Sequence, residues 1–169
     1  MVEQTNIYNV LLTESDSDET LDTPELEQTC ADELEQTSAD EPKPQEKLFE
    51  IRNIEDFESL INNTDNKLDG KRFIFVDCWA PWCGPCRAIM PTIENFSKTY
   101  YQNIYYAKIN CDEFDGFSDL YDITALPSFM TFKVGDKTPI LGTIVGAKVA
   151  VIEGRLKDLN SLKTDSEDF

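Results

Sequence analysis

The residues best suited to chemistry are two cysteines three positions apart, in Trp82-Cys83-Gly84-Pro85-Cys86. The apolar run before them, Phe73 to Trp79, reads as a buried strand. Ala80-Pro81 ends it, and Cys83-Gly84-Pro85-Cys86 opens the helix that follows. Unpaired backbone N–H groups and the positive end of the dipole favour an anion at a helix N-terminus, so Cys83 is expected to ionise more readily than an ordinary thiol. The chain of 169 residues contains no histidine. Ser-His and Cys-His catalysis and histidine-containing zinc sites are therefore excluded, and catalysis must rest on thiols or carboxylates.

The elements that must hold this turn lie between Lys47 and Leu162. Leu48, Phe49 and Ile51 suggest a short strand. Asn53 suits the N-cap of a helix with Ile54, Phe57, Leu60 and Ile61 on one face. Asn62 to Gly70 reads as a polar loop. Pro91 is expected to kink the helix opened by Cys83. Ile104 to Asn110 is a strand, Glu113 to Tyr121 a short helix, and Ser128 to Val134 a strand ending at Gly135-Asp136, a hairpin signal, with Pro139 to Val145 as its partner. Ala147 to Leu162 forms the last helix, with Val151, Ile152, Leu156 and Leu159 as its stripe. This order predicts a sheet that is parallel first and antiparallel in its final hairpin, with helices on both faces.

Charge divides the chain. Residues 1–46 hold 14 acidic residues against one basic, Lys43, about −13 of the total −18. With so little apolar content the segment is expected to be a disordered acidic tail, acting as a spacer or as a docking peptide. It contains a tandem eight-residue repeat, Glu25 to Asp32 and Glu33 to Asp40, and ends in the stiff Glu41-Pro42-Lys43-Pro44. Residues 47–163 form the expected domain and 164–169 a disordered C-terminus. The overall acidity opposes nucleic acid and anionic membrane surfaces. Met1 to Leu12 lacks the basic start and apolar length of a signal peptide, and no run approaches transmembrane length. A cytoplasmic, reducing compartment is expected, where five cysteines are redox-active or buried rather than structural disulfides.

Trp82-Cys83-Gly84-Pro85-Cys86, the preceding Asp77, Leu126-Pro127-Ser128 before a strand and Val145-Gly146 after the last strand together resemble the thioredoxin family over Lys47 to Leu162. The resemblance implies an α/β thioredoxin fold, a mixed sheet of about five strands flanked by four helices. It also implies a protein-disulfide reductase in which Cys83, exposed at the helix start, attacks and Cys86 resolves, the two forming the redox-active disulfide. Asp77 becomes the buried carboxyl that assists proton transfer from Cys86, with Lys108 as its electrostatic partner. Pro127 becomes a cis-proline against the cysteines, and Trp82, Gly84, Pro85, Leu126, Val145 and Gly146 the surface that reads substrate backbone and shape. The implied partners are disulfide-containing proteins and a thioredoxin-reductase-type electron donor. A monomer with no cofactor and no metal is expected.

Three cysteines stand outside this site. Cys78 is expected to be a small buried apolar residue, whereas Cys111 near a strand end and Cys30 in the tail are candidates for regulatory or intermolecular disulfides. The spacing Cys78-x4-Cys83-x2-Cys86 with a distant Cys111 formally matches plant-type iron–sulfur ligation. An apolar strand around Cys78 and crowding by Trp79, Pro81, Trp82 and Pro85 argue against a cluster, and against a four-cysteine zinc site. Two other readings keep the fold: a binding subunit of a larger complex, and a disulfide oxidase or isomerase, although Gly84-Pro85 resembles the pair in the reductant members of the family.

Overall fold

The computed structural model describes residues 43–162. The tandem repeat, Cys30 and residues 163–169 lie outside them. In order the elements are β1 (Phe49–Ile51), α1 (Ile54–Asn62), β2 (Phe73–Trp79), α2 (Gly84–Thr99), β3 (Ile104–Asn110), α3 (Asp115–Leu120), β4 (Ser128–Lys133), β5 (Pro139–Val145) and α4 (Val149–Ser161). They build one sheet in the order β1-β3-β2-β4-β5. β3 runs parallel to both β1 and β2, while β4 is antiparallel to β2 and to β5. The expected division between a parallel first part and an antiparallel closing hairpin is what the chain adopts.

β2 is central because its sequence can be buried on both sides: every residue from Phe73 to Cys78 is buried, and Trp79 nearly so. Side chains of a strand alternate between faces. Ile74, Val76 and Cys78 enter one core with Phe57, Leu60 and Ile61 of α1 and Phe117 of α3. Phe73 and Phe75 enter the other with Ile89, Ile93 and Phe96 of α2 and Ile152, Leu156 and Leu159 of α4. Each such side chain removed from water contributes about 1.5–3 kcal/mol against the chain's conformational entropy. The same alternation points Asp77 toward the face that α2 covers.

Local signals set the ends. The Asn53 carboxamide oxygen accepts the Asp56 N–H at 2.8 Å, capping α1, an interaction worth about 1 kcal/mol. At its other end Asn63 takes a left-handed conformation, φ 50°. α2 runs through Pro91 as one helix of 16 residues. Three expectations need correction. Leu68, in the segment read as a polar loop, is 1% exposed and belongs to the α1-side core. α4 starts at Val149 because Lys148 N donates to the Gly146 carbonyl at 2.8 Å, a turn that precedes the helix. That start turns Val151 outward, 52% exposed, and leaves Ile152, Leu156 and Leu159 as the buried stripe. At the other boundary, the Gln45 side chain substitutes for a strand. Its amide donates to the Tyr106 carbonyl at 2.7 Å and its oxygen accepts the Tyr106 N–H at 2.8 Å, so the fold's bonds reach back to Gln45.

Candidate functional site

Cys83 is the N-cap of α2. Its Sγ accepts the Cys86 N–H at 3.2 Å, so one of the donors that a helix start leaves unpaired is spent on sulfur. Cys83 and Cys86 form a disulfide with Cα atoms 5.3 Å apart. In this state Cys83 is 3% exposed, not the open thiol the sequence suggests, because it packs with Cys86, Ala80, Trp79 and Leu126. Around it Trp82, Gly84 and Pro85 are exposed. A Cβ built on Gly84 would meet nothing within 4 Å, so the fold itself does not require glycine there.

The opposite wall is the loop into β4. The Leu126-Pro127 peptide is cis, and Leu126 packs against the cysteine pair. Ser128 Oγ donates to the Ala125 carbonyl at 2.7 Å and closes the loop. The Pro127 carbonyl accepts the Gly146 N–H at 2.7 Å. Gly146 has φ +86°, a conformation costly for any residue with a Cβ. Val145, 44% exposed, pairs with Ser128, which pairs in turn with Cys78 on β2. Leu126 thus touches the cysteines directly, while Val145 and Gly146 are tied to them through β4 and Pro127. Trp82 is 69% exposed, and its indole N–H donates to Asp112 Oδ1 at 3.0 Å. Sequence reasoning missed Asp112, which carries no motif and stands 30 residues away.

Asp77 is fully buried, and neither carboxyl oxygen has a hydrogen-bond partner. Burial pushes its pKa up from 3.8 to about 7, with the nearby Cys111 adding to the rise. Lys108 stands opposite it in the β2–β3 register and pulls the other way. The Lys108 ammonium is not bonded to Asp77. It pairs with Glu50 at 3.5 Å and lies 5.2 Å from the Trp79 ring centroid.

Cys78 is buried, as expected, but it is not merely apolar filling. Half-buried Cys111 lies close enough to act on it. This neighbour and burial hold the Cys78 pKa well up, whereas Cys78, aided by Ser118, lowers that of Cys111 to about 7. The two residues are 33 positions apart, and only the β2–β3 register, which sets Cys78 against Ile109, brings them together. Among the described residues no group of three or more His, Cys, Asp or Glu side chains is placed to hold a metal.

A disulfide at a strand-to-helix turn, with a cis-proline loop packed against it, is a site suited to thiol–disulfide exchange. The thioredoxin family model matches residues 49–157. A thioredoxin of Coprinus comatus is 38% identical over 61% of this chain and 89% of its own length. Thioredoxin-2 of Pyricularia oryzae is 41% identical over 53% of this chain and 51% of that protein, so this chain spans about half of it. Among solved structures, mitochondrial thioredoxin 3 of Saccharomyces cerevisiae in its oxidized form matches with TM-score 0.56 and 28% identity, covering 66% of this chain and 95% of that one. The chain belongs to the thioredoxin family of thiol–disulfide oxidoreductases.

Proposed function

We propose that this chain reduces protein disulfides with Cys83 as attacking and Cys86 as resolving sulfur. The observation that carries the reading is the cap of α2, where Cys83 Sγ already accepts a backbone N–H and would hold a negative charge in the reduced form. The Cys83 thiolate attacks one sulfur of a substrate disulfide, and the other leaves as a thiolate. Cys86 passes its proton to the Asp77 carboxylate and attacks Cys83, releasing the second substrate thiolate. Two electrons have then moved to the substrate, and the Cys83–Cys86 disulfide remains.

Asp77 suits the transfer because a carboxyl titrating at about 7 both accepts and returns a proton at neutral pH. Trp82, Pro85, Leu126 and Val145 would form the apolar rim, the bare Gly84 would let a substrate backbone approach, and Pro127 and Gly146 would shape the opposite wall. A thioredoxin-reductase-type donor would restore the dithiol, in keeping with the family. We also read the chain as a cytoplasmic monomer that avoids nucleic acid and membranes; its charge of −18 supports the avoidance.

Turnover of a protein disulfide with dithiothreitol, comparing the full chain with one beginning at Lys43, tests this directly. Turnover by both at equal rates supports the reading and separates the acidic segment from the chemistry. No turnover by either would remove it. If a Cys83→Ser, Cys86→Ser double variant performed the biological role, a binding subunit would replace the enzyme.

A further inference from the structure

β5 is not a regular strand. On the side of the exchange site Ser128 pairs with Val145 and Phe129 with Ile144, whereas further down Thr131 pairs with Ile140 and Phe132 with Pro139. Leu141, Gly142 and Thr143 therefore stand opposite Met130 alone, two residues more than a regular ladder holds. Leu141 and Gly142 take up the surplus in the left-handed region, at φ 62° and 67°. A leucine persists there only when its surroundings impose it. Packing does not, since Leu141 is 61% exposed. The constraint comes from α4. Partly buried Arg155 donates from Nη1 to the Gly142 carbonyl and from Nη2 to the Leu141 carbonyl, both at 2.7 Å, and among the described residues it forms no ion pair. Its planar fork matches two successive carbonyls of the bulge.

We infer that Arg155 is a positioning residue for protein substrates: by clamping the bulge it fixes the register in which Val145 and Gly146 stand at the exchange site. Side chains of a strand alternate with a period of two, so a slip of β5 by two residues would leave each on its own face, and the apolar pattern alone does not forbid it. In a register without the bulge Thr143 would stand beside Ser128, and Val145 and Gly146 would lose their places next to Ser128 and Pro127. Two attachments oppose the slip. The Gly146 N–H donates to the Pro127 carbonyl at 2.7 Å on the site's side of the bulge, and Arg155 holds the bulge itself. The effect on substrate rests on the proposed role of Val145 and Gly146 in the rim, whereas the clamp does not.

Amide hydrogen exchange and steady-state turnover, both on the full chain, test the two halves. Arg155→Met removes both donors while filling similar space. With the Cys83–Cys86 disulfide intact, its Gly146 amide is expected to exchange about tenfold faster than in the original chain, while the Phe75 and Val76 amides at the centre of β2 change less than about threefold. KM for a protein disulfide is expected to rise about threefold with kcat changed less than about twofold, and the rate with a small aromatic disulfide to stay as it was. Arg155→Lys keeps the charge but not the fork and is expected to fall between the two proteins in both measurements. Gly146 exchange that is unchanged in Arg155→Met, or accelerated no more than that of β2, overturns the clamp, and a Lys protein equal to the original overturns the fork. Faster Gly146 exchange with an unchanged KM overturns the effect on substrate. If the original chain turns over no protein disulfide, the proposed function fails and the substrate half falls with it, while Gly146 exchange still decides the clamp.

Discussion

Asp77 and Cys78 are neighbours in one strand, both fully buried, and they face opposite layers of the molecule. Burial opposes ionisation in each, yet the outcomes differ because their partners do. The Asp77 carboxyl has no hydrogen bond, so desolvation dominates and the group titrates near neutrality. Cys78 has Cys111 beside it, and that neighbour together with burial pushes the inner sulfur's pKa well up, while that of half-buried Cys111 falls to about 7. Burial dominates the titration of the carboxyl, whereas a neighbouring thiol shares in setting that of the sulfur.

The largest effect tests the layer Asp77 serves. Cys83→Ser is expected to lower protein-disulfide turnover by more than about a thousandfold, since a hydroxyl is not ionised at neutral pH and cannot replace the thiolate. Asp77→Asn removes only the proton acceptor and is expected to cost about a hundredfold at pH 7 in single-turnover release of the second substrate thiol.

The same substitution sharpens the contrast through stability. A carboxyl raised from 3.8 to about 7 is neutral in folded and unfolded chains below pH 4, so it has no effect there. Between about pH 4 and 7 the unfolded chain ionises first, and above 7 the fold carries the full penalty, about 4 kcal/mol. Asp77→Asn should therefore gain in stability relative to the original chain as pH rises from 4 to 8. Denaturant melts at those two pH values check it, and parallel pH dependence in the two proteins would remove Asp77 as the cause.

Smaller effects follow at the periphery. Trp82→Ala is expected to raise KM for a protein disulfide about fivefold with little change in kcat, and Asp112→Ala about twofold, because the indole then loses its anchor but not its area. Lys108→Met removes the positive charge that opposes burial, so the Asp77 pKa rises further and the ascending limb of the pH–rate profile moves to higher pH. A limb that stays in place would limit Lys108 to its pairing with Glu50.

What the sequence made legible was local. Asn53 capping α1, the Cys83-Gly84-Pro85-Cys86 helix start and the 73–79 strand each depend on residues within one or two turns of each other. Asp77 could be placed in the interior because its neighbours are apolar, and the family resemblance supplied the distant Pro127. The closeness of Cys78 to Cys111 was hidden because it depends on the β2–β3 register. The Trp82–Asp112 bond was hidden because it spans a loop, and Leu68 because one apolar residue in a polar segment has no periodicity to reveal it. Val151 was misassigned because a turn at Gly146 set the start of α4, and with it the buried face.

The division of labour between the two sulfurs is best tested by trapping. The full chain with Cys86→Ser, reduced and mixed with a disulfide-bonded protein, is predicted to accumulate a covalent complex whose cross-linked peptide contains Cys83. A cross-link through Cys111 instead, or a complex held by Cys86 in the Cys83→Ser protein while Cys86→Ser forms none, would contradict it.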